Sequence, residues 1–576
     1  MFKHDWLVVF KDTTSLSYTI IVNDLDELKE FYAKNKQRIH VGFNNKRYDN
    51  LVYRAMLDGA NPYAVTHMII AQDDGYGVYK RWNLNKSPYP SVDMSQDLGM
   101  VGLSLKEYEG FKGFNIDESD IPFDIQRPLT EDEIQSTISY CISDVDATHQ
   151  LLFDKIDVVK SKITIITEFG LSKGDLILTN AQLVAKVMGA KLVERDDEFK
   201  PFDFSQLKLK YVLDVMGEMH IKGEQPVRMS VRDFYSREYD YDSKLIVKLF
   251  GMEITFAFGG IHGALNNFHH KGEIWLDDVT SFYPNLMYRY KFLSRNVMKG
   301  GLDLLKRLIS DRVTVKKSDP AKSEAYKLII NIIFGASGAK FNQMYDPHQA
   351  NNICVGGQLL LMDLALRLEP YTKIVQVNTD GVAHIPTNRT MCNFMAREWE
   401  QDTGLSLGRD NLKAIHQKDV NNYIVINEDD SLTVKGAYVL QTRVNGHKPR
   451  TLKMSGKVID DAVVNYFVHG ISPEVTVGNC EEQLDFQIIK KTGSTFEKTI
   501  CYIDGKEVKI QKINRVFATT DKSRGTLYKV REDGSKSLVP SLPEHNWVAN
   551  EGVFDMKHID RQYYIDEAWK RIKDYI

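Results

Sequence analysis

The sequence predicts a multi-domain α/β protein, and three observations carry that reading. At 576 residues the chain is too long for one ordinary hydrophobic core. Its N-terminal third alternates short apolar runs of strand character with stretches of helical periodicity. Its middle holds a strand and a hairpin that each present an aspartate, with two helices between them. Hydrophobic residues make up 43% and charged residues 26%, the balance of a soluble globular protein. No apolar run is long enough to span a bilayer, and Met1-Phe2-Lys3-His4-Asp5 has no signal-peptide pattern. The expectation is a cytoplasmic protein with no membrane partner. The five cysteines, Cys141, Cys354, Cys392, Cys480 and Cys501, are scattered without a CxxC pair, which argues for free thiols over a zinc site or a disulfide framework. The net charge of −4 does not advertise nucleic-acid binding, although a large enzyme can confine its basic residues to a channel.

In chain order, strands are expected at Leu7 to Phe10, Tyr18 to Val22 and Ile39 to Phe43, with a helix from Asp24 to Asn35 between the last two. Leu129 to Lys155 has helical periodicity, with Thr130 as N-cap before Glu131 and Glu133. Polar stretches at Glu194 to Asp203 and Arg232 to Asp242 read as connections. A glycine-rich turn, Phe258-Gly259-Gly260-Ile261-His262-Gly263, precedes a strand from Glu273 to Asp278, which Pro284 is expected to stop. Helices follow at Leu302 to Lys316 and Ala321 to Phe334. Asp319 caps the second, and Pro320 suits its first position. A hairpin spans Lys373 to Ile385.

Three constellations carry chemistry. Trp275-Leu276-Asp277-Asp278-Val279-Thr280-Ser281-Phe282-Tyr283-Pro284 delivers Asp278 at a strand end, where a carboxylate can hold Mg²⁺; the bland alternative is an acidic strand-to-turn boundary. Asn378-Thr379-Asp380-Gly381 lies between two apolar runs, a strong hairpin signal by itself. Two carboxylates so placed could hold two metals about 3.5–4 Å apart. In the helix after Asp319, Lys327, Asn331 and Phe334 stand at i, i+4 and i+7 and share one face. A cation, an amide and a ring on one stripe suit a nucleoside triphosphate; the alternative is a buried helix with a snorkelling lysine. Arg312 and Lys316 on the preceding helix offer either a phosphate contact or a solvated basic face. His384 reads as a strand residue.

Taken in order, Asp-x-x-Ser-Phe-Tyr-Pro, Lys-x-x-x-Asn-x-x-Phe-Gly and Asn-Thr-Asp-Gly resemble motifs A, B and C of family B DNA polymerases, DxxSLYP, KxxxNSxYG and DTDS. Gly42-Phe43-Asn44-Asn45-Lys46-Arg47-Tyr48-Asp49 resembles the second motif of that family's 3′–5′ exonuclease, and Tyr140-Cys141-Ile142-Ser143-Asp144 its third, YxxxD. The resemblance covers most of residues 1–440. It implies an RNase H-like exonuclease domain over residues 1–170, a connecting region over 171–265, a right-hand polymerase with an α+β palm at 266–300 and 341–420, helical fingers at 301–340, and a thumb and C-terminal region at 421–576.

The same resemblance implies that Asp278 and Asp380, helped by the Val279 carbonyl, bind two Mg²⁺ ions, with Mn²⁺ as an alternative. It makes Arg312 and Lys327 triphosphate contacts, Tyr283 the steric gate against a 2′-hydroxyl, and Asn331 and Phe334 the lining of the nascent pair. Asp49 and Asp144 become exonuclease metal ligands, with Tyr140 beside them. Asn421-Asn422-Tyr423 and Lys435-Gly436 weakly resemble the KKxY element that grips primer–template. Departures are Asn378 for the first Asp of DTD, Phe334 for Tyr, Ala257 for the Tyr of YxGG, and Asn421 and Asn422 for the two lysines. The implied partners are primer–template DNA, dNTPs and replication accessory proteins, the implied state is a monomer, and the compact size suggests a phage-type enzyme working in host cytoplasm. From Asp278 to Lys327 is 327 − 278 = 49 positions, which leaves no room for the large insertion of protein-primed relatives and favours a nucleic-acid primer. The rival readings are an RNase H-like nuclease with a DNA-binding C-terminal half and a non-catalytic replication factor. A reverse transcriptase is disfavoured, since paired aspartates at the hairpin tip are missing.

An exonuclease of this type also needs Asp-x-Glu on a first strand. Before the strand Leu7 to Phe10 stand six residues whose sole acid is Asp5. The expectation is therefore an internal start, a native product longer by roughly ten residues, enough for one strand, and very weak 3′–5′ degradation by the chain as written. Degradation assays on this chain and on one extended upstream in frame test it. Robust degradation by the short form, abolished in Asp144→Ala, would contradict it.

Overall fold

In a computed structural model, which describes residues 1–72, 75–81, 89–97, 103–119, 121–238, 240–436, 455–552 and 555–576, four short strands open the chain. β1 (Leu7–Lys11) and β2 (Tyr18–Val22) pair antiparallel, and β3 (His40–Gly42) and β4 (Ser91–Asp93) pair parallel. Among the described residues the two pairs are separate sheets, with no described strand between them to pass hydrogen bonds across. Side-chain packing holds this part together, through Ile21, Leu28, Val52, Met56 and Val65. Asp24 caps the helix Leu25–Asn35. Thr130 and Glu133 form the reciprocal capping box of the helix Glu131–Asp154, as the sequence pattern predicts. Asp5 has a structural task, accepting from Asn23 Nδ2 and from the Leu129 amide, both at 2.8 Å.

The centre of the chain is a mixed α/β layer built on one eleven-stranded sheet. Its strands are β5 (Met216–His220), β6 (Val227–Ser230), β7 (Lys244–Leu249), β8 (Met252–Phe256), β9 (His262–Ala264), β10 (Phe268–Val279), β11 (Thr372–Asn378), β12 (Gly381–Pro386), β13 (Leu407–Asp419), β14 (Asn422–Asn427) and β15 (Leu432–Lys435). They lie in the order β15-β14-β13-β10-β12-β11-β9-β8-β7-β5-β6. Residues 171–265, read from sequence as a connecting region, thus supply five strands to this sheet. Strands β11 and β12 are buried on both faces, which explains their nearly continuous apolar runs. Behind them lies the helix Pro347–Leu368, almost wholly buried, with the polar Asn351, Gln358, Asp363 and Arg367 among its buried residues. The indole of the fully buried Trp399, on the helix Arg389–Thr403, donates to the Leu360 carbonyl at 3.0 Å.

Strand β10 ends at Val279 because Ser281 turns into the left-handed region at φ 48°. Pro284 does not stop the strand; it lies in the first turn of the helix Phe282–Arg289, where a missing N–H costs nothing. The helices Gly301–Val315 and Pro320–Ser337 pack against each other. Asp319 accepts from the Lys322 amide at 3.0 Å and Pro320 takes the first position, as expected. Tyr326, Ile329, Ile330 and Ile333 bury one side of the second helix. Asn331 stays exposed, with Lys327 and Phe334 half-buried beside it. Among the described residues no helix is long and apolar enough to cross a membrane.

The C-terminal part, residues 455–576, packs back onto both earlier parts. Arg515, buried, donates to the carbonyls of Gly110 and Phe114. The helix Arg561–Lys573 leads to Tyr575, whose carbonyl sits 2.8 Å from His269 Nε2, while His269 Nδ1 and His416 Nδ1 are 3.1 Å apart. His416 is buried on β13, and its pKa is held down to about 4, first by burial and then by the charges of His269 and Lys271. The unfolded chain takes up this proton near 6.5, so between about 6.5 and 4 it binds a proton that the folded chain refuses. Stability from this group is therefore complete above 6.5 and falls as pH drops through that window, by up to about 3 kcal/mol. Urea unfolding at pH 7 and pH 4.5 should show the loss in the wild type and a smaller loss in His416→Leu; equal losses in both would contradict the assignment.

Candidate active site

Register brings the two motif aspartates together. β10 and β12 pair antiparallel with Asp278 opposite Gly381, so Asp380, one residue earlier, comes to the end of β10. Its carbonyl accepts from the Val279 amide at 2.8 Å. The hairpin tip is tight: Thr379 stands at φ 55°, and the Asp380 amide reaches the Asn378 carbonyl at 2.6 Å. A β-branched residue rarely takes that conformation, and here the surroundings impose it. The Thr379 amide donates to the Ile261 carbonyl at 2.9 Å and its hydroxyl to Asn378 Oδ1 at 3.2 Å. Gly260 lets this happen, since a Cβ there would lie 3.1 Å from Thr379 Oγ1. Gln358 clamps the glycine-rich turn by donating to the Ala257 and Gly259 carbonyls while accepting from the Tyr235 hydroxyl at 2.7 Å. Gly381 also has a steric reason, as its Cβ would meet Asp278 Oδ1 at 3.3 Å.

Asn378 explains one departure from DTD. Its amide nitrogen donates to the Val420 carbonyl at 3.2 Å, and its oxygen lies 3.1 Å from His262 Nδ1. An aspartate there would set an acceptor against the Val420 carbonyl.

Electrostatics mark the pair. Burial first, then the charges of Asp380 and Asp410, push the Asp278 carboxyl up to about 7. Burial also raises Asp380, with Lys435 opposing. Among the described residues neither carboxylate has an ion-pair partner. Asp410 was not singled out by sequence; it stands opposite Leu276 in β13, on the Asp278 face of the sheet by strand alternation. Nothing in Gly408-Arg409-Asp410 announces this without the strand pairing.

Tyr283 and Phe334 also meet here, edge to face with ring centroids 4.7 Å apart. The Tyr283 hydroxyl is raised by burial and then by the negative charges of Cys354 and Asp380. Tyr423 and Lys435 are cross-strand partners in β14 and β15, with the ammonium 5.7 Å above the ring. Both act on or feel Asp380. Lys327 touches Glu324 at 3.4 Å, and neither it nor Arg312 contacts the aspartates. Among the described residues Arg312 forms no ion pair.

The N-terminal acids form a second group. Asp49 opens the helix Asp49–Leu57 and is exposed as a residue. Desolvation of its carboxyl, then the charges of Asp93 and Asp144, raise it to about 6. Asp144 accepts from Lys106 Nζ at 2.6 Å. The same ammonium reaches the buried Glu109 at 3.1 Å and lies 4.5 Å above the Tyr140 ring. Glu109 is raised to about 7 by burial. Asp93 and Glu109 were not legible as site residues. Asp93 accepts from the amides of Asn44 and Lys46 at 2.9 and 3.1 Å and so fixes the loop before Asp49. Among the described residues no three His, Cys, Asp or Glu side chains form a metal-binding group.

No protein-family model matches the chain, and no curated protein matches it in sequence. Among solved structures it is similar to the family B DNA polymerase of the hyperthermophilic archaeon Pyrobaculum calidifontis, with 12% identity and a TM-score of 0.43, over 99% of this chain and 74% of that one.

An NMR titration of labelled aspartates should find Asp278 releasing its proton near pH 7, and Asp380→Asn should lower that value by removing one of the repelling charges. An Asp278 pKa unmoved by Asp380→Asn would separate the two carboxylates.

Proposed function

We propose that the chain is a template-directed DNA polymerase that adds dNMP from dNTPs to the 3′ end of a nucleic-acid primer. The observation that carries this reading is the Asp278–Asp380 pair, two mutually repelling carboxylates with no ion-pair partner among the described residues. Hard oxygen donors in this state fit Mg²⁺, which takes one or two carboxylates and completes its shell with water and phosphate oxygens; the Val279 carbonyl would be the third donor. Bound there, two Mg²⁺ ions, or Mn²⁺, supply the positive charge that in-line displacement at phosphorus requires.

The chain's own residues bind and orient. Lys327 gives up a surface contact with Glu324, worth little in water, to neutralise triphosphate charge, and Arg312 offers its planar fork to the terminal phosphate. The Tyr283 ring, braced against Phe334, takes the space beneath the incoming sugar that a 2′-hydroxyl would need. Phe334 and Asn331 line the nascent base pair. Tyr423 and Lys435, beside Asp380, hold the primer terminus.

The N-terminal acids are read as a 3′–5′ exonuclease unit, inactive in this form because the Lys106 ammonium already neutralises Asp144 and Asp5, tied to Asn23 and Leu129, is no stand-in ligand.

Primer extension with Mg²⁺ tests the reading. Asp278→Ala and Asp380→Ala should abolish extension while leaving DNA binding near wild type. Lys327→Ala should lower kcat/KM for dNTP on the order of 100-fold, and Tyr283→Ala should admit ribonucleotides. Wild-type-like extension by either aspartate variant would overturn the assignment.

A further inference from the structure

One carboxylate that the proposed chemistry does not use is the most heavily bonded acid near the site. Asp277 precedes Asp278 on β10 but points to the opposite face of the sheet, where it is fully buried. It accepts from Arg409 Nε at 2.6 Å and Nη2 at 2.8 Å, and His384 Nε2 lies 3.1 Å away. His384, also fully buried, has its Nδ1 2.8 Å from the Thr372 hydroxyl, which itself donates to the Ile385 carbonyl at 2.6 Å. The Arg409 guanidinium stacks on the Trp275 ring at 3.8 Å and its free arm bonds to Asn393. Burial would raise the pKa of Asp277, but the bonds from His384 and Arg409 outweigh it and hold the group below its ordinary value.

We propose that His384 and Arg409, joined through Asp277, are positioning residues that fix the register of the three strands carrying the site's acids. The inference rests on the polymerase reading above for its activity readout, not for its geometry. His384 is on β12, directly after the Asp380 hairpin, and Arg409 is on β13, one residue before Asp410. Asp277 is on β10 beside Asp278. One buried carboxylate therefore binds β12 on one side and β13 on the other. Cross-strand register places Trp275 opposite His384 and Asp277 opposite Arg409, so the polar contacts form only in the alignment that sets Asp278 opposite Gly381. A slip of one residue moves a side chain about 3.3 Å along its strand and turns it to the other face. That displacement is comparable to the whole separation of two catalytic metals, about 3.5–4 Å. Apolar residues in these three places would pack the sheet but leave its register to shape alone. A bidentate fork and an imidazole on one carboxylate specify it.

The test uses the full chain and four variants, Asp277→Asn, His384→Gln, Arg409→Lys and the milder Thr372→Val. A cavity variant of the same sheet, Val425→Ala, serves as a stability control. Single-turnover extension is measured against dNTP and against Mg²⁺, with melting temperature recorded alongside and Mg²⁺ binding followed by calorimetry. Asp277→Asn and His384→Gln are expected to lose about 10- to 100-fold in kcat, keep KM for dNTP within about threefold, and need more Mg²⁺ for half-saturation. Arg409→Lys and Thr372→Val retain the fold and show the same split, smaller in size. Val425→Ala should melt earlier with unchanged kcat and Mg²⁺ dependence. If all four variants match the wild type in kcat and Mg²⁺ dependence, melting earlier at most as Val425→Ala does, the network is a packing device and the inference fails. If the wild type does not extend a primer, the polymerase reading fails instead. Calorimetry then decides the positioning claim, weaker Mg²⁺ binding in Arg409→Lys supporting it and unchanged binding overturning it.

Discussion

Asp278 and Asp380 repel each other, and the rest of the central structure exists to keep them together. Without a cation two carboxylates in one partly desolvated crevice raise each other's proton affinity, and Asp278 sits near 7 for this reason and for its burial. A flexible pair would move apart. Here separation is blocked by backbone pairing between β10 and β12, and by a hairpin tip whose left-handed threonine is bonded on both sides.

The surrounding elements follow from this constraint. A Cβ at Gly381 would crowd the Leu276 side chain and an Asp278 carboxylate oxygen, and one at Gly260 the Thr379 hydroxyl, so both positions favour glycine. Asn378 is an amide because one of its neighbours is a carbonyl. The buried helix Pro347–Leu368 backs the hairpin and, through Gln358, the turn that supports it. On the far face Asp277 is bound by Arg409 and His384, so strand alternation alone splits the acidic pair Asp277-Asp278 into one structural carboxylate and one that faces Asp380. The Tyr283–Phe334 contact closes the side of the crevice with rings instead of charge.

What could be read from the sequence was local or ordered. Capping residues Thr130 and Asp319, the β10 and hairpin strands, and the shared face of Lys327, Asn331 and Phe334 all follow from spacing, because helix and strand periods are properties of neighbouring residues. What could not be read depends on which strand lies beside which. Asp410 became part of the site only because β13 pairs with β10. His384 looked like an ordinary strand residue, and is one, but its buried bond to Asp277 crosses 107 positions. The strands between 216 and 264 pair mostly with their chain neighbours, Leu245 to Leu249 with Met252 to Phe256 as a local hairpin; what the sequence does not show is their joining to the central sheet through β9 and β11. In the N-terminal part the strand runs were legible, but not which of them pair, β1 with β2 and β3 with β4.

The central claim is that Asp278 and Asp380 jointly hold the metals of nucleotidyl transfer. Crystals of the protein with primer–template and a non-hydrolysable dNTP, grown in Mn²⁺, test it directly through anomalous scattering. The account predicts two anomalous peaks within coordination distance of both carboxylates and of the triphosphate. Peaks that engage the N-terminal acids and bypass this pair, or a bound dNTP remote from Asp380, would contradict it.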